Sequence, residues 1–400
     1  MTTYDAVVVG ARAAGASTAR LLARSGLSVL LVDRCRYGTD TLSTHALMRG
    51  GVLQLQRWGL LEKVIAAGTP PVRQATFRYA GQVVVVPIGP SYGVDALYAP
   101  RRTVLDPVLV DAAEAAGVEV RFGVAVAEVD RDESGRVTGV AGRTREGGEF
   151  RAGARVVIGA DGVHSTLADL VGAPFDRVGT GLGATTYGYW PDLDVAGYEW
   201  NFRRDAASGL IPTDDGLTCV FASATAGRIG RGGPAPLLEI LGETDAELAR
   251  RLAAATPRAM RTFTGVRGYR RRCCGPGWAL VGDAGYFKDP LSAHGLTDAL
   301  RDAELLAGAV VSVLRDGAGE AEALAGYQAT RDAVSDTMFD VIDEIAGHRW
   351  TDDEIGGLLL RLNAAMAEEV DALAVLHFPD AARGHDARRV PDAPGGGVRR

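Results

Sequence analysis

The first part of the chain alternates between short apolar runs and helical repeats of apolar residues. Tyr4 to Val9 is an apolar run that predicts a strand, and a helical pattern follows it through Arg24. A second apolar run, from Ser28 to Val32, predicts another strand. Strands that alternate with helices at this spacing are typical of an α/β domain with a parallel sheet.

The middle of the chain has the period of two that is typical of half-buried strands. Residues from Pro71 to Ile88 alternate in this way, and so do residues 178–272, which are rich in Gly, Thr, Tyr and Trp. Asp214, Asp215 and Gly216 form a hairpin-turn signal inside the second stretch. We therefore expect an antiparallel sheet, accompanied by a helix from Leu237 to Ala255.

The residues between these two stretches are expected to belong again to the α/β domain with the parallel sheet. It predicts a helix from Arg101 to Ala116, followed by strands from Val118 to Phe122 and from Val124 to Val129. A β-hairpin is expected from Asp132 to Glu149, with its turn at residues 133–135.

The last third of the chain is mainly helical. An apolar strand from Trp278 to Val281 and a loop precede a long helix that runs to about Val310. A second helix is predicted from Tyr327 to Gly347, and a capping box at Thr351 to Glu354 opens a third, which reaches about Leu376. Residues 379–400 are rich in Gly, Pro, Asp and Arg, so we expect a disordered tail there.

Composition narrows the class of protein. The chain has 400 residues, 47% of them hydrophobic and 23% charged, which is ordinary for a globular protein with two or three cores. Its net charge of −7 argues against a nucleic-acid surface. No Cys/His cluster has zinc spacing, so no metal is expected. The start lacks a basic signal region and no apolar run reaches membrane-spanning length, so we expect a cytoplasmic protein without a membrane span.

The turn between the first strand and helix carries a dinucleotide fingerprint, from Gly10 to Gly15. Gly10 allows the tight turn, Gly15 lets the helix pack on the strand, and Asp33 ends the second strand where it can bind a ribose hydroxyl. Arg12 replaces the middle glycine, and its N–H and guanidinium can still pair with phosphate. The alternative is a plain packed βα turn. The candidate binding residues in this region are Gly10, Arg12, Ala14, Gly15, Asp33 and Arg34.

A second group of candidate functional residues lies just before the long helix that runs to about Val310. Asp283, Pro290 and Gly295 surround the start of this helix, where unpaired N–H groups and the positive end of the dipole meet. A carboxylate at a strand end can hold sugar-like hydroxyls. A helix that begins at glycine can hold an electron-rich ring carbonyl or a ring anion.

The pattern G-D-A-x(5)-P-x(4)-G-x(3)-A-x(2)-D-A-x(2)-L-A, from Gly282 to Ala307, resembles the ribityl-binding motif of flavoprotein monooxygenases related to p-hydroxybenzoate hydroxylase. The resemblance implies that Asp283 binds the FAD ribityl chain and that Gly295 and Leu296 face the isoalloxazine. Pro290 is a further cofactor-binding candidate of the same motif. The family often has a His at the position of Tyr286 or Gly285 and an Asn where this chain has Thr297. Because of these differences, the motif does not identify the substrate. The alternative is an ordinary strand–loop–helix unit.

Three further matches follow from the same resemblance. The motif R-x-x-L-D-x-x-L implies that Arg102 contacts FAD, and Arg101 is the alternative residue if the motif is shifted by one position. The alternative role is structural, an ion pair between the arginine and Asp106. The backbone of Val126 is expected to touch the adenine end. An A-D-G-x-x-S signature places Asp161 near the FAD pyrophosphate, although it is also compatible with a strand-end turn.

Two segments bear on the substrate. The loop from Asp40 to Leu61, which leads into a helix, passes close to the flavin ring in the family. His45 in this loop is a candidate proton carrier, but a satisfied loop histidine is the favoured interpretation. The segment from Tyr198 to Phe202 partly resembles a pattern of geranylgeranyl reductases that ends in Pro, where this chain has Arg203. We favour core packing for its Tyr and Trp.

We therefore expect an α/β fold: a Rossmann-like FAD-binding domain with an inserted antiparallel-sheet substrate domain and C-terminal helices. The expected boundaries are residues 1–70, 100–177 and 273–325 for the FAD-binding domain, 71–99 and 178–272 for the substrate domain, and 326–378 for the C-terminal helices.

The resemblance implies a single-component, FAD-dependent monooxygenase. NADPH or NADH reduces the flavin, O2 adds to give a C4a-hydroperoxide, and one oxygen atom passes to a small organic substrate, suggested to be aromatic or polyketide-like. The alternative is a prenyl-chain reductase of the geranylgeranyl type, in which FAD delivers hydride to an alkene. A flavin-binding redox sensor is a third, less favoured hypothesis. Oxygen consumption in step with product separates the first two.

Overall fold

The computed structural model describes residues 2–376. The expected tail at residues 379–400 and the last two residues of the expected C-terminal helices lie outside the described residues. The strands are β1 Thr3–Val9, β2 Val29–Asp33, β3 Gln74–Tyr79, β4 Gln82–Pro87, β5 Glu119–Phe122, β6 Val124–Arg131, β7 Val137–Thr144, β8 Glu149–Gly159, β9 Phe175–Val178, β10 Gly183–Pro191, β11 Tyr198–Arg203, β12 Ala206–Pro212, β13 Leu217–Thr225, β14 Met260–Phe263, β15 Tyr269–Arg271, β16 Cys274–Gly275, β17 Trp278–Leu280 and β18 Tyr286–Phe287. The helices are α1 Ala13–Arg24, α2 Arg49–Arg57, α3 Leu61–Ala66, α4 Arg102–Ala115, α5 Thr166–Leu170, α6 Ala226–Ile229, α7 Pro234–Thr244, α8 Ala246–Ala253, α9 Gly295–Leu314, α10 Glu320–Ala346 and α11 Asp352–Val375.

The first sheet has a parallel centre. Its order is β16-β17-β8-β1-β2-β5, and β1 pairs in parallel with both β2 and β8. The hairpin β6–β7 joins through β8. Because β1 and β2 are buried on both faces, their sequences are continuous apolar runs rather than alternating ones. Both strands pack against α1, which in turn packs against α9, and this arrangement confirms the expected α/β class.

The second sheet has seven strands in the order β14-β10-β13-β12-β11-β3-β4. One face packs against α6, α7 and α8. The other face is aromatic, and Tyr187, Tyr189 and Trp200 on it pack with Leu291 and with residues of α10 and α11. The loop that leads into α9 therefore lies against this aromatic face. A small third sheet has the order β18-β15-β9.

Three expected elements differ from the structure. The helix expected from Leu237 to Ala255 is divided into α7 and α8, because Asp245 is extended and its carboxylate caps α8 at the Leu248 N–H. The hairpin expected from Asp132 to Glu149 is two successive hairpins, β6–β7 and β7–β8. The helix expected at Tyr327 begins about two turns earlier, at Glu320.

The capping box at the start of α11 is confirmed. The Thr351 hydroxyl accepts from the Glu354 N–H, and the Glu354 carboxylate accepts from the Thr351 N–H at 2.8 Å. Within residues 2–376, no helix has both the length and the hydropathy that crossing a lipid bilayer requires.

Candidate functional site

The turn between β1 and α1 is packed so closely that side chains are excluded from it. Gly10 has φ +107°, and a Cβ there would lie 2.3 Å from the carbonyl oxygen of Ala160. A Cβ on Gly15 would lie 1.8 Å from the carbonyl oxygen of Gly10. At the start of α1 no side chain caps the helix and no acidic residue occupies the first turn. The free N–H groups and the positive helix end therefore suit an anionic phosphate group.

A surface cavity opens beside this turn. Its lining residues are Ala11, Arg12, Asp33, Cys35, Arg36, Tyr37, Gly38, Thr39, Asp106, Pro107, Val110 and Phe122. Asp33 is buried there, and its two carboxylate oxygens accept from the Ala11 and Cys35 N–H groups at 2.8 and 2.7 Å. The cavity suits the ribose and base of a nucleotide, because it combines a carboxylate with the flat side chains of Tyr37 and Phe122.

The expected residues are distributed unevenly around this cavity. Arg34 is exposed outside the lining, and Val126 lies on β6, where it pairs with Gly142 and also lies outside the lining. Arg36 and Tyr37 line the cavity instead. The sequence pattern did not select these two residues, because nothing in the local spacing marks a loop that follows the ribose-binding acid.

The two candidate arginines at the start of α4 point to different partners. Arg102 is buried and forms an ion pair with Asp106, which also binds Arg12 at 3.2 Å. Arg101 instead pairs with Asp214, at the turn between β12 and β13. Only Arg102 therefore lies beside Arg12, and the frame-shifted alternative connects to the second sheet. Arg12 and Arg102 would hold the phosphates together, with Asp106 fixing both.

We expect that Asp33→Ala weakens both the fold and nucleotide binding. The substitution removes two carboxylate contacts to backbone N–H groups, and a charge-assisted hydrogen bond contributes about 1.5–3 kcal/mol. One further hydrogen bond to a ribose would be lost, so affinity for an adenine dinucleotide should fall by about 1–2 kcal/mol. Denaturant unfolding of the apoprotein and titration with FAD measure the two losses separately. Asp33→Asn keeps one acceptor oxygen, so its stability and FAD affinity should lie between those of the wild type and of Asp33→Ala. Unchanged FAD affinity in the alanine variant would contradict the assignment.

The three sequence motifs converge on one region. A Cβ on Gly10 would contact Ala160 and the Asp161 N–H, and a Cβ on Gly282 would lie 3.0 Å from the Cβ of Ala14. The Tyr269 hydroxyl donates to the carbonyl of Asp283 at 2.6 Å and lies 3.1 Å from that of Val163. The end of β8, the start of α1 and the turn after β17 therefore form a single continuous surface.

Asp161 has a structural partner for each of its carboxylate oxygens. One accepts from the Ser165 hydroxyl at 2.5 Å and the other from the Leu167 N–H at 3.0 Å. Burial raises the pKa of this carboxyl group, and these hydrogen bonds oppose the rise. Its side chain caps α5, so its backbone beside Gly10 is the part that can face a ligand.

Asp283 carries a carboxylate that the protein itself leaves available. Within the described part of the chain, no hydrogen bond to this carboxylate is present. Burial, and then the charge of Asp298, raise its pKa to about 7 against the opposing charges of Arg102 and Lys288. A carboxylate held without a partner at a strand end suits a polyhydroxylated chain that would donate hydrogen bonds to it.

The start of α9 has a buried ionic cluster behind it. Arg301 contacts Asp298, Asp302 and Glu369 at 2.9, 2.7 and 2.6 Å, and Lys288 also pairs with Asp298. Burial lowers the pKa of Lys288, but the Asp298 carboxylate outweighs it and the pKa is raised. These contacts fix the first turn of α9, so that its N–H groups at Gly295 and Leu296 have a defined direction.

Three members of this region have the spacing of metal ligands. Ligand atoms of His294, Asp298 and Glu369 lie within 4.8 Å of one another. The carboxylates of Asp298 and Glu369 already contact Lys288 and Arg301, and Glu369 also contacts His294 at 2.5 Å. The cluster is thus accounted for as an ionic network that connects α11 to the start of α9.

A second cavity lies between the aromatic face of the second sheet and the loop before α9. Its lining residues are Thr44, Thr185, Trp200, Ile211, Phe221, Pro290, Leu291 and Ala293. Pro290 lies in the wall, and the loop continues directly from Ala293 to the helix start at Gly295. The wall is mostly apolar and aromatic, with two threonine hydroxyls, and pockets for small organic molecules have walls of this composition.

His45 lies behind this cavity. It has φ +71° and is buried, and its Nε2 lies 2.5 Å from the hydroxyl of Tyr189 on β10. Burial, and then the charges of Arg102 and Arg101, lower its pKa to about 3. The imidazole is therefore neutral at pH 7, as a satisfied loop histidine would be. Its Nδ1 has no hydrogen-bond partner within residues 2–376, so a proton-carrying role for His45 stays a prediction.

The two cavities and the surface between them match the parts of FAD. The uncapped start of α1, which suits a phosphate, lies between the cavity at Asp33 and the carboxylate of Asp283. The start of α9, at Gly295 and Leu296, lies beyond Asp283 and next to the second cavity. The residues present thus fit the adenosine, the pyrophosphate, the ribityl chain and the ring in that order.

Comparison with known proteins points to the same cofactor. The sequence profile of the family described as "FAD binding domain" matches residues 3–341. A menaquinone reductase from Mycolicibacterium smegmatis is 30% identical over 331 residues, which cover 76% of this chain and 76% of the relative. A para-nitrophenol 4-monooxygenase from a Pseudomonas species is 26% identical over 340 residues, which cover 80% of this chain and 80% of the relative.

A solved structure gives the same result for the fold. A probable FAD-dependent monooxygenase from Pseudomonas aeruginosa, pqsL, superposes with a TM-score of 0.76 at 21% identity, over 90% of this chain and 100% of that one. At this identity the likeness concerns the fold alone.

Proposed function

Because this chain belongs to the FAD binding domain family and is an FAD-dependent oxidoreductase, we propose that it is a single-component monooxygenase with a small organic substrate. When bound, FAD supplies the redox chemistry, with electrons from NADPH or NADH and with O2 as the second substrate. The protein supplies the binding, the orientation and the exclusion of water. A cytoplasmic location stays a prediction.

The residues of the chain divide these tasks along the cofactor. Asp33 holds the ribose, and Arg12 and Arg102 neutralise the phosphates beside the start of α1. Asp283 accepts hydrogen bonds from the ribityl hydroxyls. The N–H groups at the start of α9 would stabilise negative charge on the ring, because they carry the positive end of the helix dipole.

The observation that carries the proposal is the second cavity beside the start of α9. Trp200, Phe221 and Leu291 give it an apolar wall, and a site that excludes water is what oxygen transfer needs to compete with loss of peroxide. The cavity also presents flat aromatic side chains, which favour a flat or unsaturated substrate. The relative that acts on para-nitrophenol supports this assignment.

A reductase of an unsaturated, prenylated substrate is the second candidate. The menaquinone reductase is 30% identical to this chain, and Trp200 of the reductase-like segment lines the cavity, stacked on Phe77 with ring centroids 5.4 Å apart. A reductase transfers hydride to the substrate and consumes no O2. The two functions therefore differ in a quantity that can be measured directly.

We expect the purified protein to be yellow, with FAD bound non-covalently. The cavity at Asp33 binds an adenosine, which FMN lacks, and heat denaturation should release FAD into the supernatant. In a substrate screen that follows NADPH or NADH oxidation, O2 consumption in step with product would support the monooxygenase. Product formed without O2 would support the reductase instead. A folded sample with FMN, with a covalent flavin or without flavin would contradict the cofactor assignment.

A further inference from the structure

Strand β4, at one end of the second sheet, has an open edge. It pairs with β3 on one side, and within residues 2–376 no strand pairs with its other side. Its sequence is QVVVVP, with four consecutive valines and no charged residue. Val83 and Val85 are 62% and 53% exposed, although valine is among the residues most often buried. Proteins commonly protect such an edge with charged side chains or a β-bulge, and β4 has neither.

The opposite end of the same sheet is different. All four residues of β14 are half-buried, and Arg261 on this strand pairs with Asp40 at 2.9 Å. The edge at β14 is therefore partly covered and carries a charge. The edge at β4 is exposed and apolar, so it is the end of the sheet that can accept another strand.

The hydrogen bonds between β3 and β4 show which backbone groups face the open edge. The Ile88 N–H, just beyond β4, donates to the carbonyl of Arg73 at 2.8 Å. Bonded and non-bonded residue pairs alternate along an antiparallel ladder, so Val84, four positions before Ile88, also bonds to β3. Its neighbours Val83 and Val85 therefore direct their N–H and C=O groups away from β3.

We propose that β4 pairs with β4 of a second copy of this chain, antiparallel about a two-fold axis at Val84. In this register Val83 of each copy lies opposite Val85 of the other, and each such pair exchanges two hydrogen bonds. Four hydrogen bonds then use every outward N–H and C=O of these two valines in both copies. Pro87, which has no N–H to offer, lies opposite Gly81 and beyond the four bonds.

Charge and symmetry favour a second copy over another occupant. Because β4 is uncharged, two copies meet without like-charge repulsion, and β-branched residues form favourable cross-strand pairs. The contact uses the same surface on both molecules, so it closes as a dimer. Pairing of β4 with β14 of another copy would leave a free edge at each end and would continue into a filament.

The size of the contact sets its expected strength. A pair of six-residue strands is smaller than the roughly 1,600 Å² of a standard protein–protein interface. We therefore expect a dimer that dissociates on dilution, with a dissociation constant in the micromolar range. The two-fold axis is perpendicular to the sheet, so the aromatic faces of both copies would lie on the same side of one continuous sheet.

Sedimentation equilibrium of the FAD-loaded protein from about 1 to 100 µM tests the pairing. The wild type should approach twice the chain mass of 41.9 kDa as its concentration rises. Val84→Lys and Val84→Glu each place two like charges opposite each other at the axis, so each variant should have a dissociation constant at least about tenfold higher. An equimolar mixture of the two variants pairs Lys with Glu and should dimerise again.

A backbone variant tests the direction of the hydrogen bonds. Val85→Pro removes an N–H that β3 does not use, and edge strands tolerate proline at such a position. The far-ultraviolet circular dichroism and the FAD content should therefore be retained while two of the four hydrogen bonds are lost and the dimer dissociates. Leu360→Lys is the matched control, because Leu360 is 72% exposed on α11, and it should leave the dissociation constant within about twofold.

Three results would overturn the proposal. The first is a wild type that stays monomeric over the whole concentration range or grows beyond a dimer. The second is a dimer that survives both Val84→Lys and Val85→Pro. The third is a mixture of the Lys and Glu variants that stays monomeric, which would exclude the axis at Val84. These measurements involve no substrate, NADPH or O2, so they are independent of the proposed function.

Discussion

A valine at position 15 is expected to leave the protein without FAD. A Cβ on Gly15 would lie 1.8 Å from the carbonyl oxygen of Gly10 and 3.0 Å from the Cβ of Ala160, and both neighbours belong to buried strand ends. Backbone atoms cannot yield as a flexible side chain can, so β1 and α1 would have to separate. This shifts the phosphate-binding N–H groups at the start of α1, and FAD affinity should fall by more than about a hundredfold, or about 3 kcal/mol.

The measurement is the FAD content after purification in the presence of excess FAD, together with far-ultraviolet circular dichroism. Gly326→Val is the matched control, because this glycine also lies in a helix but a Cβ there would meet no atom within 4 Å. The control should lose some stability through helix propensity and keep its FAD. A Gly15→Val protein with full FAD content would show that the N-terminal turn is not the phosphate site.

The parts of the fold that were predictable from the sequence are determined locally. The turn from Gly10 to Gly15 and the capping box at Thr351 each depend on residues within a few positions of one another, and the structure contains both. The resemblance to monooxygenases related to p-hydroxybenzoate hydroxylase is confirmed by the family match over residues 3–341. It rested on glycines and acids at fixed spacings, which backbone geometry preserves.

The second cavity was not predictable because its wall comes from distant segments. Thr44, Thr185, Trp200 and Phe221 lie on a loop and three different strands, and only strand order and register bring them together. Hydrophobic periodicity places Trp200 inside the protein but cannot say whether it faces a core or a cavity. In the structure it does both.

The division of the expected helix and the partner of Arg101 were not predictable for a related reason. Apolar spacing alone continues from Leu237 to Ala255, and only the extended backbone at Asp245 shows that two helices meet there. Arg101 and Arg102 are adjacent in the sequence, yet Arg101 precedes α4 and pairs with Asp214, whereas Arg102 is the first residue of α4 and pairs with Asp106. The motif spacing favoured Arg102, but the partner of Arg101 depends on the position of the second sheet.

The second large effect is expected on removal of the Asp283 carboxylate, which should raise the stability of the apoprotein and impair catalysis. The pKa of Asp283 in the folded protein is raised to about 7, whereas a free carboxyl has a pKa of roughly 3.9. The folded apoprotein therefore binds the extra proton between about pH 4 and pH 7, and its stability falls as the pH rises through this window. Above pH 7 the full penalty is present, on the order of 2–4 kcal/mol.

Removal of the carboxylate should therefore stabilise the apoprotein at pH 8. In Asp283→Ala and Asp283→Asn the pH-dependent penalty is absent, so denaturant unfolding at pH 8 should require more denaturant than in the wild type, with a smaller difference at pH 5. Asp316→Ala, at an exposed carboxylate, is the control and should change neither value by more than about 0.5 kcal/mol. Equal unfolding at both pH values in all variants would show that Asp283 does not titrate near neutrality.

The same substitution should impair catalysis. If Asp283 holds the ribityl hydroxyls, Asp283→Ala loses one or two charge-assisted hydrogen bonds, each contributing about 1.5–3 kcal/mol. Contacts at Gly15, Asp33 and Arg102 would still retain part of the FAD. The ring, however, would lose its tether next to the start of α9, and a displacement of about 1 Å can cost on the order of a hundredfold in rate.

A loosened ring also admits water to the second cavity, which favours release of peroxide over oxygen transfer. We therefore expect Asp283→Ala to be a folded, more stable and partly flavinated protein whose NADPH or NADH oxidation is slow and yields mainly hydrogen peroxide. Flavin content, the rate of NAD(P)H oxidation and peroxide per turnover are the three measurements. Wild-type rate and coupling in this variant would mean that Asp283 is not a flavin ligand. The free carboxylate at the end of β17 would then need another role, since its raised pKa makes it a net cost to the apoprotein.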